Sequence, residues 1–285
     1  MASAARIHPD THIGAVALVV ADLARSLDYY QNGIGLRLLA RENGIAHLGV
    51  GERELLRLYE QPGAKPFPQR GRSGLYHFAI LTPSREALGV TLQHLIHSQT
   101  PIGGASDHGV SEALYLTDPD GHGIEIYRDR PRSEWPMDGD ELRMTLDPLD
   151  APGILAAGAG RPWTGLAEGT TIGHIHLHVS QIGAAESFYV ETLGFDLMQR
   201  YGGQASFISA GGYHHHIGIN TWAGVGVPPP SPEMARLLWY EIRVPDEGAL
   251  EEALARVRAA QLPIERHEQG WLVRDPAQNP VVLRT

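Results

Sequence analysis

Apolar positions in this chain recur first at every second residue and then at every third or fourth, and this change of period is itself repeated along the sequence. Ile13 to Leu18 alternate as a strand does. The segment then turns to helical spacing through Ser26-Leu27-Asp28-Tyr29-Tyr30, until Gly35 supplies a helix stop. The same order returns 159 residues later, with Ile172 to Leu177, then Ala185 to Tyr189, then Leu193-Gly194-Phe195, in the same spacing and without a gap. Residues 36–60 and 195–221 each add three alternating runs, separated by turn signals such as Glu42-Asn43-Gly44 and Ala210-Gly211-Gly212. The repeated unit therefore predicts βαβββ.

Two fainter copies follow. Leu75 to Leu81 precedes Thr82-Pro83 and a helix from Ser84 to His97, and Leu237 to Arg243 precedes Val244-Pro245 and a helix from Asp246 to Ala260. Each copy later reaches a turn and a closing strand, Asp118-Pro119-Asp120-Gly121 before Ile124 to Tyr127 and Asp275-Pro276 before Val281 to Leu283. The expected fold is α+β: four βαβββ modules paired into two half-barrel domains. Residues 11–130 form the first domain from modules 1 and 2, and 169–285 the second from modules 3 and 4. Residues 131–168, rich in Pro, Gly, Ala and Asp, read as a linker.

Composition narrows the chemistry. A length of 285 residues suits two domains at roughly 150 residues each. The net charge of −10 is spread without a basic stripe, so nucleic acid is not an expected partner. There is no cysteine, which leaves imidazole and carboxylate as ligands for any metal, and there are 15 histidines. No apolar run approaches the ~18 residues of a membrane span. Met1 to His12 lacks the basic-then-apolar order of a signal peptide, so a cytoplasmic location is expected.

The four modules can be compared with one another by counting from the helix starts at Asp22, Ser84, Gln181 and Asp246. Seven residues before these stand Ala15, His77, His174 and Trp239. Only the middle two modules place histidine there. On the closing strand the second module has Glu125 between Ile124 and Ile126, where the fourth has Val282. The third module carries Tyr213-His214-His215-His216 on its own fourth strand. If the sheets pair into a cleft, His77, His174 and Glu125 converge, with one of the triple histidines opposite. Two imidazoles and a carboxylate leave open positions on a metal, an arrangement associated with nonheme iron(II) and oxygen chemistry.

Blander explanations compete with each residue. A lone strand histidine such as His77 is more often a hydrogen-bonded core residue than a ligand. His174, His176 and His178 share one strand face, which could be an ordinary solvated face, although one built of histidines alone is unusual. The helix-start spacing selects His174 over His176. His214 to His216 could be a chance run. Alternation along a strand favours His215 for the site, with His214 and His216 on the other face. A carboxylate between two isoleucines is costly to bury unless it is paired or bound to metal. His8, His12, His47, His94, His97 and His267 are expected to be structural or surface residues.

Four blocks together resemble the vicinal oxygen chelate superfamily, over nearly the whole chain. They are Gly74 to Leu81, Ser111 to Gly121, Gly173 to Ser180 and Ser209 to Gly218. Within that superfamily they resemble the type I extradiol dioxygenases of the bacterial catechol-2,3-dioxygenase kind. The resemblance implies glyoxalase-like half barrels, an Fe(2+) cofactor with Mn(2+) as an alternative, and a small catechol cleaved by O2 at an extradiol bond. It matches the metal ligands to His77, His174 and Glu125, the acid–base histidine to His215 and the active-site tyrosine to Tyr115, with His108 as a further group holding substrate oxygens. A homo-oligomer is compatible with it. One departure stands out: family enzymes usually place iron in modules 3 and 4, but module 4 here offers Trp239 and Val282. The site would then lie between modules 2 and 3.

Two other functions are weighed against this one. A glyoxalase-like isomerase or lyase with a four-ligand Ni or Zn site would want a second carboxylate where His215 stands. A metal-free protein that sequesters an aromatic compound would not need the His77, His174 and Glu125 set.

Overall fold

The computed structural model describes residues 6–139 and 141–285, so Met1 to Ala5 of the N-terminal signal reading lie outside the described residues. Module 1 comprises β1 (His12–Val20), α1 (Leu23–Asp28), β2 (Arg37–Glu42), β3 (Ile45–Val50) and β4 (Arg53–Glu60). Module 2 comprises β5 (Gly74–Leu81), α2 (Arg85–His97), β6 (Gly104–Asp107), β7 (Ser111–Thr117) and β8 (Gly123–Asp129). After a small hairpin of β9 (Met137–Asp138) and β10 (Glu141–Leu142) and helix α3 (Ala151–Gly158), module 3 runs through β11 (Thr171–His178), α4 (Ile182–Glu186), β12 (Asp196–Tyr201), β13 (Ala205–Ser209) and β14 (Ile217–Asn220). Module 4 closes the chain with β15 (Arg236–Arg243), α5 (Glu247–Ala259), β16 (Glu265–His267), β17 (Gly270–Arg274) and β18 (Pro280–Arg284).

All four helices begin where the sequence places them. Asp22, Ser84 and Asp246 are N-caps whose side chains accept from the backbone N–H three residues on, and Gln181 holds the same position without a side-chain bond. The capping residue fixes the turn from strand to helix, so the first strand of every module keeps one register. Helices α1 and α4 end in a π-type turn, Tyr29–Ile34 and Ser187–Thr192, before glycines with positive φ at Gly35 and Gly194.

The sheets depart from the expected domain halves, although modules 2 and 3 meet as the ligand set implies. One eight-stranded sheet has the order β16-β17-β18-β15-β1-β4-β3-β2 and the other β12-β13-β14-β11-β5-β8-β7-β6. Modules 1 and 4 therefore share a sheet, as do modules 2 and 3, and each sheet cuts across the two sequence halves. The cause lies in the first strands: β1 pairs antiparallel with β15, and β5 with β11. A buried apolar core runs continuously through both sheets. The 131–168 segment is more than a linker. Helix α3 packs so closely on α2 that a side chain at Gly89 would meet Ile154 O at 2.2 Å, and Asp147 makes a bridge to Asp107.

Buried tyrosines from the π turns tie one sheet to the other. Tyr30 donates to Asp118 at 2.9 Å, and Tyr189 donates to Asp275 at 3.2 Å. Each aspartate opens a turn and also accepts from two backbone N–H groups and from the side chain four residues on, His122 or Asn279. Burial raises both carboxyls' pKa values. The His122 imidazole and its neighbours reverse this at Asp118, whose pKa is lowered, while Asp275, facing neutral Asn279, is raised to about 6. Stability from Asp118 is thus present above its unfolded value near 4 and lost as the pH falls, whereas the contribution from Asp275 weakens as the pH rises from about 4 through about 6. At pH 7 Asp118→Asn is expected to lower stability by about 2–3 kcal/mol and Asp275→Asn by clearly less. Thermal unfolding of the two variants checks the order, and equal losses would contradict it.

Candidate metal centre

Three of the predicted ligands meet in the sheet built from modules 2 and 3. His77 lies on β5 directly across from His176 of β11, and His174 lies across from Ala79. Ala79 in turn pairs with Glu125 on the parallel strand β8. This register sets His77 Nε2 at 3.0 Å and His174 Nε2 at 3.3 Å from the same Glu125 Oε2. All three side chains are buried, and their ligand atoms lie within 4.8 Å of one another.

The donor set suits a divalent cation. His77 Nε2 has no hydrogen-bond partner despite its distance from Glu125, and such a buried polar atom carries a penalty that a metal would remove. Burial opposes charge on Glu125, but His174 and His77 outweigh it and hold the carboxyl well below its ordinary range. Burial also lowers His174 to about 4, which keeps its imidazole neutral and able to bind metal. The same position in the other sheet shows the contrast. There Ala17 pairs with Arg57 as Ala79 pairs with Glu125, and Trp239 packs with Ala15, Ala17 and Val282 while the Arg57 guanidinium sits 5.2 Å from its ring. Arg57 bonds to Glu54 and Glu268, so that sheet closes over apolar contacts and ion pairs instead of ligands.

His77 and Glu125 open onto a cavity of about 300 Å³ whose lining also includes Tyr76, Tyr115, His108, His176, Phe207, His215 and Trp222. His176 is not with the ligands: Asn220 donates to its Nε2 at 3.0 Å and also accepts from His178 at 2.7 Å. A glycine makes room for this, since a Cβ at Gly218 would lie 2.8 Å from the His176 ring.

Residues His214 to His216 lie in an irregular bend before β14, so strand alternation does not govern them as expected. His215 nevertheless lines the cavity, with its ring 4.1 Å from that of His174, while His216 bonds to Ser209 and His214 points to Asp129. The hydrogen bonds fix the tautomers. Asp129 can only accept, so His214 donates through Nε2 at 2.8 Å, its Nδ1 is an acceptor, and His215 donates its own Nδ1–H to it at 2.8 Å. His215 Nε2 is left as a free acceptor. Burial, reinforced by the neighbouring histidines, keeps this imidazole well below its ordinary pKa.

The same reasoning revises His108. Its Nδ1 lies 3.0 Å from the Thr145 carbonyl and must donate to it, so Nε2 accepts from the Tyr115 hydroxyl at 2.6 Å. Both nitrogens are occupied, so the ring is committed to Thr145 and to the Tyr115 hydroxyl and offers no free nitrogen to the cavity. Tyr115 sits opposite Glu125 on β7, and burial with that carboxylate nearby raises its pKa, so the phenol stays protonated.

Sequence comparison between modules did not reveal Asp129 or Tyr127. A period-two reading of β8 could have found them, because Glu125, Tyr127 and Asp129 share one face. Tyr127 donates to Tyr213 at 2.7 Å, which donates to Asp129 at 3.1 Å. A Cβ at Gly173 would lie 1.9 Å from the Tyr127 hydroxyl, so glycine is required at that bulge next to His174.

Comparison with known proteins supplies the family. Residues 12–126 match the Glyoxalase/Bleomycin resistance protein/Dioxygenase superfamily. The catechol-2,3-dioxygenase of Bacillus subtilis (strain 168) is 45% identical over 279 residues, covering 97% of this chain and 98% of the relative. Among solved structures, a Bacillus subtilis protein assigned as a dioxygenase superposes with a TM-score of 0.66 at 14% identity, covering 98% of this chain and 86% of that one. Glyoxalase I from Zea mays superposes with a TM-score of 0.59 at 17% identity, covering 96% and 92%. At those identities the two structures speak for the fold alone.

Glu125→Gln is expected to weaken binding of a divalent ion by about a hundredfold or more, beyond the tenfold to hundredfold typical of residues that only support a ligand. Calorimetric titration with Mn(2+) provides the measurement. Unchanged affinity in this variant would remove Glu125 from the ligand set.

Proposed function

The chain belongs to the Glyoxalase/Bleomycin resistance protein/Dioxygenase superfamily, and from this membership and its His77, His174 and Glu125 site we propose that it is an extradiol, catechol-2,3-dioxygenase-type enzyme. The observation that carries the reading is the buried convergence of two imidazoles on one carboxylate oxygen at the edge of a cavity of about 300 Å³ that His77 and Glu125 line. His77, His174 and Glu125 would hold iron(II), with manganese(II) compatible with the same donors. The bound metal supplies Lewis acidity toward the two catechol oxygens and the means to engage dioxygen. Similarity to a catechol dioxygenase over nearly the full length supports catechol and O2 as the substrates.

The protein's own groups do the rest. His215, with Nδ1–H committed to His214, presents Nε2 to the cavity as the base for a catechol hydroxyl proton. Asp129 and His214 act one step removed, as the charge-assisted chain that holds His215 in that tautomer. Tyr115, held by His108, contacts the substrate oxygens through its hydroxyl. Tyr76, Phe207 and Trp222 form apolar walls that position the ring, while the loss of bulk water strengthens each polar contact. The lining contains no second carboxylate besides Glu125, and His215 stands where a four-ligand glyoxalase-like site would call for one.

Protein loaded anaerobically with iron(II) and then given catechol in air is expected to form a yellow ring-fission product that requires both metal and oxygen. Chelator-insensitive catechol binding without colour would instead favour a sequestering protein. His215→Ala is expected to retain iron and lower kcat by about a hundredfold or more. His214→Leu, which removes the acceptor for His215, should lower kcat by about tenfold to a hundredfold with little change in KM. His214→Asn, whose amide oxygen can take the place of Nδ1, should recover part of the loss. Equal kcat for His214→Leu and the parent protein would sink the tautomer assignment.

A further inference from the structure

The outer half of the catechol cavity is built from apolar side chains, several of which remain open to solvent. Its apolar lining is Val110, Met144, Leu146, Tyr201, Phe207 and Trp222, with Thr145 and Gln199 beside them. Of the seven large apolar residues exposed among the described residues, three belong to this one rim: Leu146 at 70%, Tyr201 at 53% and Trp222 at 39%. Single exposed apolar residues need no explanation, but three grouped at the mouth of a buried site point to something that covers them.

The polar groups nearby are already engaged. Gln199 accepts from the Met144 N–H at 2.7 Å and returns its amide to the Met144 carbonyl, while the His108 ring donates to Thr145 O. These bonds pin residues 144 and 145 across the cavity from both sides, so the segment between the sequence halves forms a fixed roof. No lysine or arginine lines the cavity among the described residues, and its one charged side chain is the anionic Glu125. A carboxylate carried into this space would lose hydration without gaining a cation, and would approach a protein whose net charge is −10.

We propose that the preferred substrates are catechols carrying an uncharged apolar substituent, alkyl or aryl, which leaves the metal end and packs against Leu146, Tyr201 and Trp222. This rests on the extradiol reading for the position of the ring, whereas the discrimination by substituent comes from the rim. Each methylene buried there is expected to raise kcat/KM by about fourfold, following the transfer free energy of apolar groups.

The experiment compares catechol, 4-methyl-, 4-ethyl- and 4-butylcatechol with 3,4-dihydroxybenzoate and 3,4-dihydroxyphenylacetate on iron-loaded protein. It measures turnover in air and affinity by anaerobic calorimetry. Both readouts are expected to rise along the alkyl series and to fall by about a hundredfold or more for each carboxylate relative to the alkylcatechol of similar size. Leu146→Lys, at an exposed position that tolerates a long side chain, is expected to narrow that gap by at least tenfold. Catechol turnover with a flat alkyl series, or with carboxylates equal to alkylcatechols, would overturn the inference and leave ring cleavage standing. Graded alkylcatechol affinity without turnover of any catechol would retain the apolar subsite and remove the dioxygenase reading. No affinity for any member of the series would overturn both.

Discussion

The antiparallel pairing of β5 with β11 is the constraint on which the rest of the site depends. Each strand supplies one histidine: β5 carries His77 beside the Glu125 strand, and His174 reaches Glu125 only because β11 meets β5 in the observed register. A slip of β11 by one residue would turn His174 to the face of the sheet opposite His77 and Glu125. Several local features hold the register: the Ser84 cap after β5, the bulge at Gly173 that admits the Tyr127 hydroxyl, and the pairing of His77 with His176 at the centre of the strand contact. The metal site is therefore a property of a strand interface, with ligands drawn from chain segments nearly a hundred residues apart.

The second sheet shows what the same architecture does when it is not asked to bind. It keeps the central antiparallel pair and the parallel closing strands, but Arg57 takes the place of Glu125 and Trp239 the place of a ligand histidine. A large indole and a paired guanidinium fill space that the other sheet keeps polar. Burial of Trp239 adds apolar area to the core, while Glu54 and Glu268 compensate Arg57, so this half is arranged for stability. One repeat thus divides the tasks of catalysis and scaffolding between two sheets of one plan.

Much of this was legible from residues alone. Helix caps mark the module starts, and counting back from them picks His77 and His174 without reference to any other protein. Glu125 is legible because an acid between isoleucines requires compensation. The ligand set already implied that modules 2 and 3 meet, but the pairing of modules 1 and 4 was not legible, since strand partners more than two hundred residues apart leave no local trace. The bend at His214 to His216 was missed because a run of histidines between glycines and an apolar strand looks like part of that strand. Hydrogen-bond direction could not be read either. It needs the Thr145 carbonyl beside His108 and the Asp129 carboxylate beside His214, both brought there by tertiary contacts. The segment 131–168 looked like a spacer because its composition is that of a spacer, yet its backbone groups are engaged at the mouth of the cavity.

The crossed arrangement of the sheets also bears on how the molecule comes into being. Ala17 near the start of the chain pairs with Trp239, and Arg57 waits for Glu268. During synthesis the first module therefore emerges with the edge of β1 bare, and it stays bare until β15, more than two hundred residues later, has been made. Folding that depends on such distant contacts is intrinsically slow, and an open strand edge invites pairing with the wrong chain. The inner sheet of modules 2 and 3 can close earlier. The sheet that carries His77, His174 and Glu125 can then assemble before the sheet of modules 1 and 4 is complete.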